Sequence, residues 1–128
     1  MIKKLDLEKS DLSPNFIGSW IIDNYLCDEL VVYFEQNKPK QAQGVVGSKA
    51  SIDLNKKNRT DLRISPKDIK LETNKVLEIY FNSLFECYKD YSNEWSYLKK
   101  IARHLDIPAF NIGKYEIGQH FQSIHCER

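Results

Sequence analysis

Apolar and polar positions change period several times along the chain, and each change marks an element. Over residues 16–22, Phe16, Trp20 and Ile22 fall on one side, a period of two that predicts a first strand, closed by Asp23 and Asn24. Over 25–38 the spacing becomes helical: Leu26, Leu30, Val31 and Phe34 share a face. Asp28 and Glu29 stand early, where the positive end of the helix dipole favours acids, and Asn37, Lys38 and Pro39 stop the helix. Residues 40–60 then lose any period. They carry Gly44 and Gly47 and only Val45, Val46, Ile52 and Leu54 as apolar anchors, which reads as a long excursion, a surface or binding loop with room for one short strand.

The second half is more regular. Residues 61–64 alternate as a strand, and Ser65-Pro66-Lys67-Asp68 has the form of a helix start, with a serine cap and proline at the first helical position. From 74 to 91, Val76, Leu77, Tyr80, Phe81, Leu84, Phe85 and Tyr88 recur every three or four residues, which predicts the main structural helix. Its aromatic stripe is read as core. Trp95, Leu98, Ile101, Ala102 and Leu105 predict a second helix over 95–105, with His104 at the surface near its end, and Asp106-Ile107-Pro108 breaks it. Residues 110–115 alternate as a strand, 116–119 turn, and the tail is expected to return as the hairpin partner. Residues 1–13 are a charged lead-in, closed by Pro14, that orders only by docking.

Composition narrows the class. A chain of 128 residues holds one domain with a real core and is too short for two ordinary ones. With 41% hydrophobic and 29% charged residues it belongs with packed proteins and not with disordered ones. Lys and Arg number 19 against 18 Asp and Glu, a net charge of +1, so the basic field that nucleic acid requires is missing. Cys27, Cys87 and Cys126 are odd in number and far apart, which argues against a disulfide framework. No signal-like or membrane-spanning apolar run is seen, so the protein is expected in a reducing cytoplasm.

The candidate chemistry lies in the tail, YEIGQHFQSIHCER. In a strand, Phe121, Ser123, His125 and Glu127 share one face, while Gln122, Ile124, Cys126 and Arg128 share the other. His125 and Glu127 thus form an imidazole and carboxylate pair, two of the three ligands of a non-haem iron(II) site. Zinc is a rival use of His120, His125 and Cys126, although Cys126 points away from His125. On the plain alternative, the pair is merely polar groups on a strand face.

Taken whole, FNIGKYEIGQHFQSIHCER resembles the 2-oxoglutarate- and iron(II)-dependent oxygenases of the prolyl-hydroxylase type. In that family a strand tyrosine, a glycine turn and an aromatic residue precede H-x-D; here those places hold Tyr115, Gly118, Phe121 and His125-Cys126-Glu127. The signature covers about fifteen residues, and upstream FIGSWIIDNYLCDELVVYFEQN and RTDLRISP follow the family's order of elements more loosely. The resemblance implies an α+β fold, helices packed on a partial double-stranded β-helix (jelly-roll) sheet. It implies iron(II) held by His125 and Glu127, and 2-oxoglutarate as co-substrate with Tyr115 hydrogen-bonded to it. Glutamate replaces the usual aspartate. The family's second histidine and basic residue would follow Arg128, so the chain is expected to be the N-terminal part of a dioxygenase, truncated or completed by a second polypeptide, and inactive alone. Exposed sheet edges would then invite self-association or the missing C-terminal half. The alternative is a small non-catalytic α+β binding protein.

Overall fold

The computed structural model describes residues 2–7, 15–122 and 124, and within them the chain is a mixed α+β structure with small sheets. It divides into two compact units, one of Met1–Tyr33 with Lys67–Ile107 and the other of Phe34–Pro66 with Pro108–Arg128. Among the described residues, no helix is long and apolar enough to cross a membrane.

In the first unit the helical period of the sequence becomes α1 (Asn24–Gln36), which belongs to it through Tyr33, and α2 (Lys75–Glu94). Buried Leu77 and Phe81 lie one turn apart on α2, and Leu26, Tyr33 and Ile69 are buried with them in this unit. Phe81 meets Phe85 at 6.4 Å and Tyr80 at 5.5 Å between ring centroids; of the aromatic stripe Phe81 is core, as the spacing predicts, while Tyr80, Phe85 and Tyr88 are half-buried. The described part of the lead-in, residues 2–7, docks: β1 (Lys3–Leu5) pairs antiparallel with β2 (Ser19–Ile21). Lys4 Nζ reaches Glu94 Oε2 at 2.8 Å, and Trp20 Nε1 donates to Asp90 Oδ2 at 2.8 Å, which ties this ribbon to α2.

Three expectations are corrected here by tertiary contacts. The first strand does not run over 16–22 but over Ser19–Ile21, because Phe16 turns into the left-handed region at φ 49°. Tyr91 Oη donates to its carbonyl, and its ring sits 4.5 Å from that of Trp95. The second helix does not run over 95–105; it is the single turn α3 (Leu98–Ile101). Trp95 leaves the helical region at φ −108°, ψ 70°, and Ala102 leaves it again with its carbonyl held by Tyr88 Oη. The Ser65-Pro66 start opens only a short 3-10 segment, Pro66–Lys70. Extended Leu71 interrupts it, and buried Asn74 donates its side-chain amide back to the Asp68 carbonyl at 2.8 Å, so α2 begins at Lys75.

The second unit is built on a three-stranded antiparallel sheet in the order β3 (Gln41–Gln43), β5 (Thr60–Ile64), β6 (Phe110–Lys114). Strand alternation turns Leu62 and Ile64 of the central strand into the core, where Phe34 is also buried; Leu62 is only 1% exposed. The last turn of α1 joins this unit. Gln41 Nε2 donates to the Phe34 carbonyl at 2.6 Å, satisfying an acceptor that the helix end leaves open. Lys114 Nζ bridges Glu35 Oε1 at 2.6 Å and Glu116 Oε1 at 2.8 Å.

The tail is not the hairpin partner of β6. β7 (His120–Phe121) pairs instead with β4 (Lys57–Asn58), and the Gln122 N–H continues the ladder to the Lys56 carbonyl at 2.9 Å. β6 and β7 therefore run the same way along one continuous segment, residues 56–64. Between the pairs Thr60–Lys114 and Asn58–His120, the single residue Arg59 faces five, residues 115–119. Gly118 at φ 85° and the Gln119 N–H donated to the Glu116 carbonyl at 2.9 Å close that excursion. The chain is thereby returned to its original heading and not reversed, the geometry of an enlarged bulge.

Two outcomes are expected. Leu77→Ala, at a position 1% exposed, should cost about 2–5 kcal/mol, read as a drop in the urea midpoint, and Leu84→Ala, exposed on the same helix, clearly less. The hydrogen bond from Lys114 holds the Glu35 carboxyl below its usual range. Its stabilisation is present above the ordinary carboxylate pKa and is lost as pH falls through the depressed value. Glu35→Gln should therefore lower the melting temperature at neutral pH and flatten its fall on the acid side, so that the variant and the parent converge at low pH.

Candidate functional site

The segment that pairs with both β6 and β7 also carries an alternating set of charges. Lys57, Arg59 and Asp61 stand at successive odd positions, and their contacts place all three on the face opposite Leu62 and Ile64. Asp61 Oδ2 lies 3.5 Å from Lys57 Nζ, and Asp61 Oδ1 lies 2.6 Å from Arg59 Nε. The Arg59 contact is ionic rather than a directed hydrogen bond, since neither atom meets the angular condition for one. Side chains of Lys57 and Asp61 are 9% and 8% exposed, so this is a largely buried ion triad.

Neighbouring strands make room for it and hold it. A Cβ on Gly113 of β6 would come within 2.9 Å of the Arg59 guanidinium, and one on Gly44 within 3.1 Å of both Lys57 and Arg59. The Arg59 carbonyl accepts from Gly44 N at 2.9 Å and Gln43 Nε2 at 3.0 Å, and Lys57 Nζ donates to the Val45 carbonyl at 3.2 Å. Asn111 Nδ2 reaches Asp61 Oδ2 at 3.4 Å. Lys57 also lies 5.1 Å above the ring of its cross-strand partner Phe121.

Above the triad opens a cleft of about 1110 Å³, lined among others by Lys57, Arg59, Asn111, Tyr115 and Phe121. Tyr115, the residue the sequence offers as co-substrate ligand, is the first of the excursion and is 43% exposed. Its hydroxyl accepts from Arg59 Nη1 at 3.1 Å, and the guanidinium stands 5.6 Å over its ring. Burial lowers the affinity of Arg59 for its proton, but the hydrogen bond to Tyr115 and the ion pair with Asp61 outweigh this and its pKa is raised. A tyrosine hydroxyl can accept and donate at once, so Tyr115 keeps an O–H for a ligand in the cleft.

The structure thus brings Tyr115 to a cleft together with Phe121 of the same motif. His125, Cys126 and Glu127 lie outside the described residues. His120, the rival zinc ligand, is half-buried on β7 with its Nδ1 unpartnered among the described residues, and His104 is exposed. Among the described residues, no group of three His, Cys, Asp or Glu side chains is placed to hold a metal.

Compared with known proteins, the chain matches no family model, no curated protein and no solved structure. The residues missed by sequence reading are Lys57, Arg59 and Asp61. Their signal was the period of two running back from Ile64: Asp61 was read as a strand position without a role, and Lys57 and Arg59 were hidden because 40–60 was assigned to a polar loop.

Asp61 separates two cations in a site of low solvent access. Asp61→Ala should leave both unpaired and cost about 3–5 kcal/mol, measured by urea denaturation; a loss below about 1 kcal/mol, the range of surface pairs, would show the triad to be solvated.

Proposed function

We propose that the chain carries the helical support and first strands of a 2-oxoglutarate- and iron(II)-dependent oxygenase of the prolyl-hydroxylase type. On this reading, the ladders along residues 56–64 belong to a double-stranded β-helix. The observation that supports it most is the arrangement around Gly118: Tyr115 and Phe121 line one cleft, and the glycine turn lies between them in the chain. Strand alternation in the sequence assigns His125 and Glu127 to the face of Phe121. Imidazole nitrogen and carboxylate oxygen are a donor set suited to iron(II).

The reaction class is hydroxylation of an unactivated C–H bond coupled to decarboxylation of 2-oxoglutarate to succinate. When bound, iron(II) supplies the position at which dioxygen is activated. His125 and Glu127 would hold it, and Tyr115 would orient the co-substrate through its O–H. Glu127 is one methylene longer than the family's aspartate, so it reaches farther and is the less constrained ligand. These two side chains are two ligands of three, and weak metal affinity is expected of these residues by themselves.

A second reading, a non-catalytic binding protein, is favoured by the two cations of the ion triad, which line the same cleft and need no metal.

Manganese(II), a paramagnetic substitute for iron(II), tests the first reading by NMR on the 128-residue chain. Broadening should centre on residues 121–127, vanish in His125→Ala and persist in Glu127→Asp. Broadening that is indifferent to His125→Ala would remove the support for an iron site.

A further inference from the structure

The cleft over the triad holds more positive charge than its own carboxylate balances. Lys57 and Arg59 share Asp61 between them. Lys56, which also lines the cleft, has its own partner in Asp53 at 3.7 Å, and none of the described lining residues is acidic. Burying a charge is unfavourable by several kcal/mol unless a counter-charge offsets it. One carboxylate cannot do that for two cations.

The placement also fits a ligand. Both cations flank the two oxygens of a single carboxylate, so they stand close enough for one further oxyanion to bridge them. The Arg59 guanidinium is fixed by Tyr115 on one side, by Asp61 on another and by the bare backbone of Gly113 beneath, and it is therefore pre-oriented as a planar donor. Tyr115 contributes an O–H at the same point, Asn111 lines the same cleft, and Phe121 closes one wall.

We propose that the cleft is a binding site for a small oxyanion, held by Arg59 and Lys57 with Tyr115 as a third donor. The group is the carboxylate of an organic acid or the phosphate of a monoester, which share these recognition needs. The site requires neither iron nor His125 and Glu127 and is argued from Lys57 and Arg59, while Tyr115 is the residue it shares with the oxygenase reading.

Calorimetric titration of the full chain, stripped of metal with EDTA and at low ionic strength, tests it with succinate, inorganic phosphate and uncharged succinamide. Succinate or phosphate should bind saturably, more weakly as salt is added, and succinamide should not bind. The tighter of the two anions identifies the source. Arg59→Gln should weaken binding at least tenfold, and Tyr115→Phe a few-fold; Lys38→Gln, away from the cleft, should change nothing. Circular dichroism checks that Arg59→Gln is folded. Gly113→Ala, whose Cβ displaces the guanidinium while keeping its charge, gives the same loss by an independent route. Binding of neither anion, equal binding of succinamide, or affinity unchanged in both Arg59→Gln and Gly113→Ala would overturn the proposal. Because metal is absent, such a failure leaves the manganese result untouched, and the converse also holds.

Discussion

Residues 56–64 pair on one edge with β6, β7 and Gln122, and the second unit depends on that single ladder. One face of the segment buries Leu62 and Ile64 and so supplies the apolar anchor. The other face carries Lys57, Arg59 and Asp61 and presents the two cations to a cleft. A slip of one residue would exchange the two faces, burying charge in the core and exposing leucine. The register that gives the unit its stability is therefore the register that assembles its site.

The excursion at residues 115–119 follows from the same ladder. Where five residues face Arg59 alone, the sheet opens, and the opening is filled by the arginine side chain and the Tyr115 ring. Enlarged bulges redirect side chains at the rim of a sheet. Here the bulge brings a tyrosine beside a guanidinium, with Gly113 on β6 and Gly44 just past β3 leaving the space that the guanidinium and ammonium occupy. Geometry of this kind orders cations that would otherwise sample solvent, which raises their value for holding an anion and makes their mutual repulsion a local cost.

Two kinds of chemistry meet at this rim. The motif that contains Tyr115 and Phe121 leads toward His125 and Glu127, and the ion triad belongs to a segment distant in sequence. An oxygenase with an acidic co-substrate and a binding protein for small anions would both use the cleft. They differ in whether the tail contributes a metal. That difference resides in two side chains, while the cation pair is common ground.

Much of the framework was legible in the chain itself. The helical spacing of Leu77, Phe81 and Phe85 and the alternation at 61–64 and 110–114 report burial of one face, a local periodicity that survives folding. Tyr115, Gly118 and Phe121 could be chosen as a motif because turn chemistry is also local. What the sequence by itself could not decide was pairing and termination. Whether the tail folds back on β6 or continues along residues 56–64 depends on which backbone edge is open to it. Trp95 and Ala102 leave the helix that their spacing predicts because Phe16 and Tyr88 hold them elsewhere. Lys57 and Arg59 looked like a solvated loop, and Asp61 like a polar strand position, until segments remote in sequence closed over them, since the burial of a charge is a property of its neighbours in space.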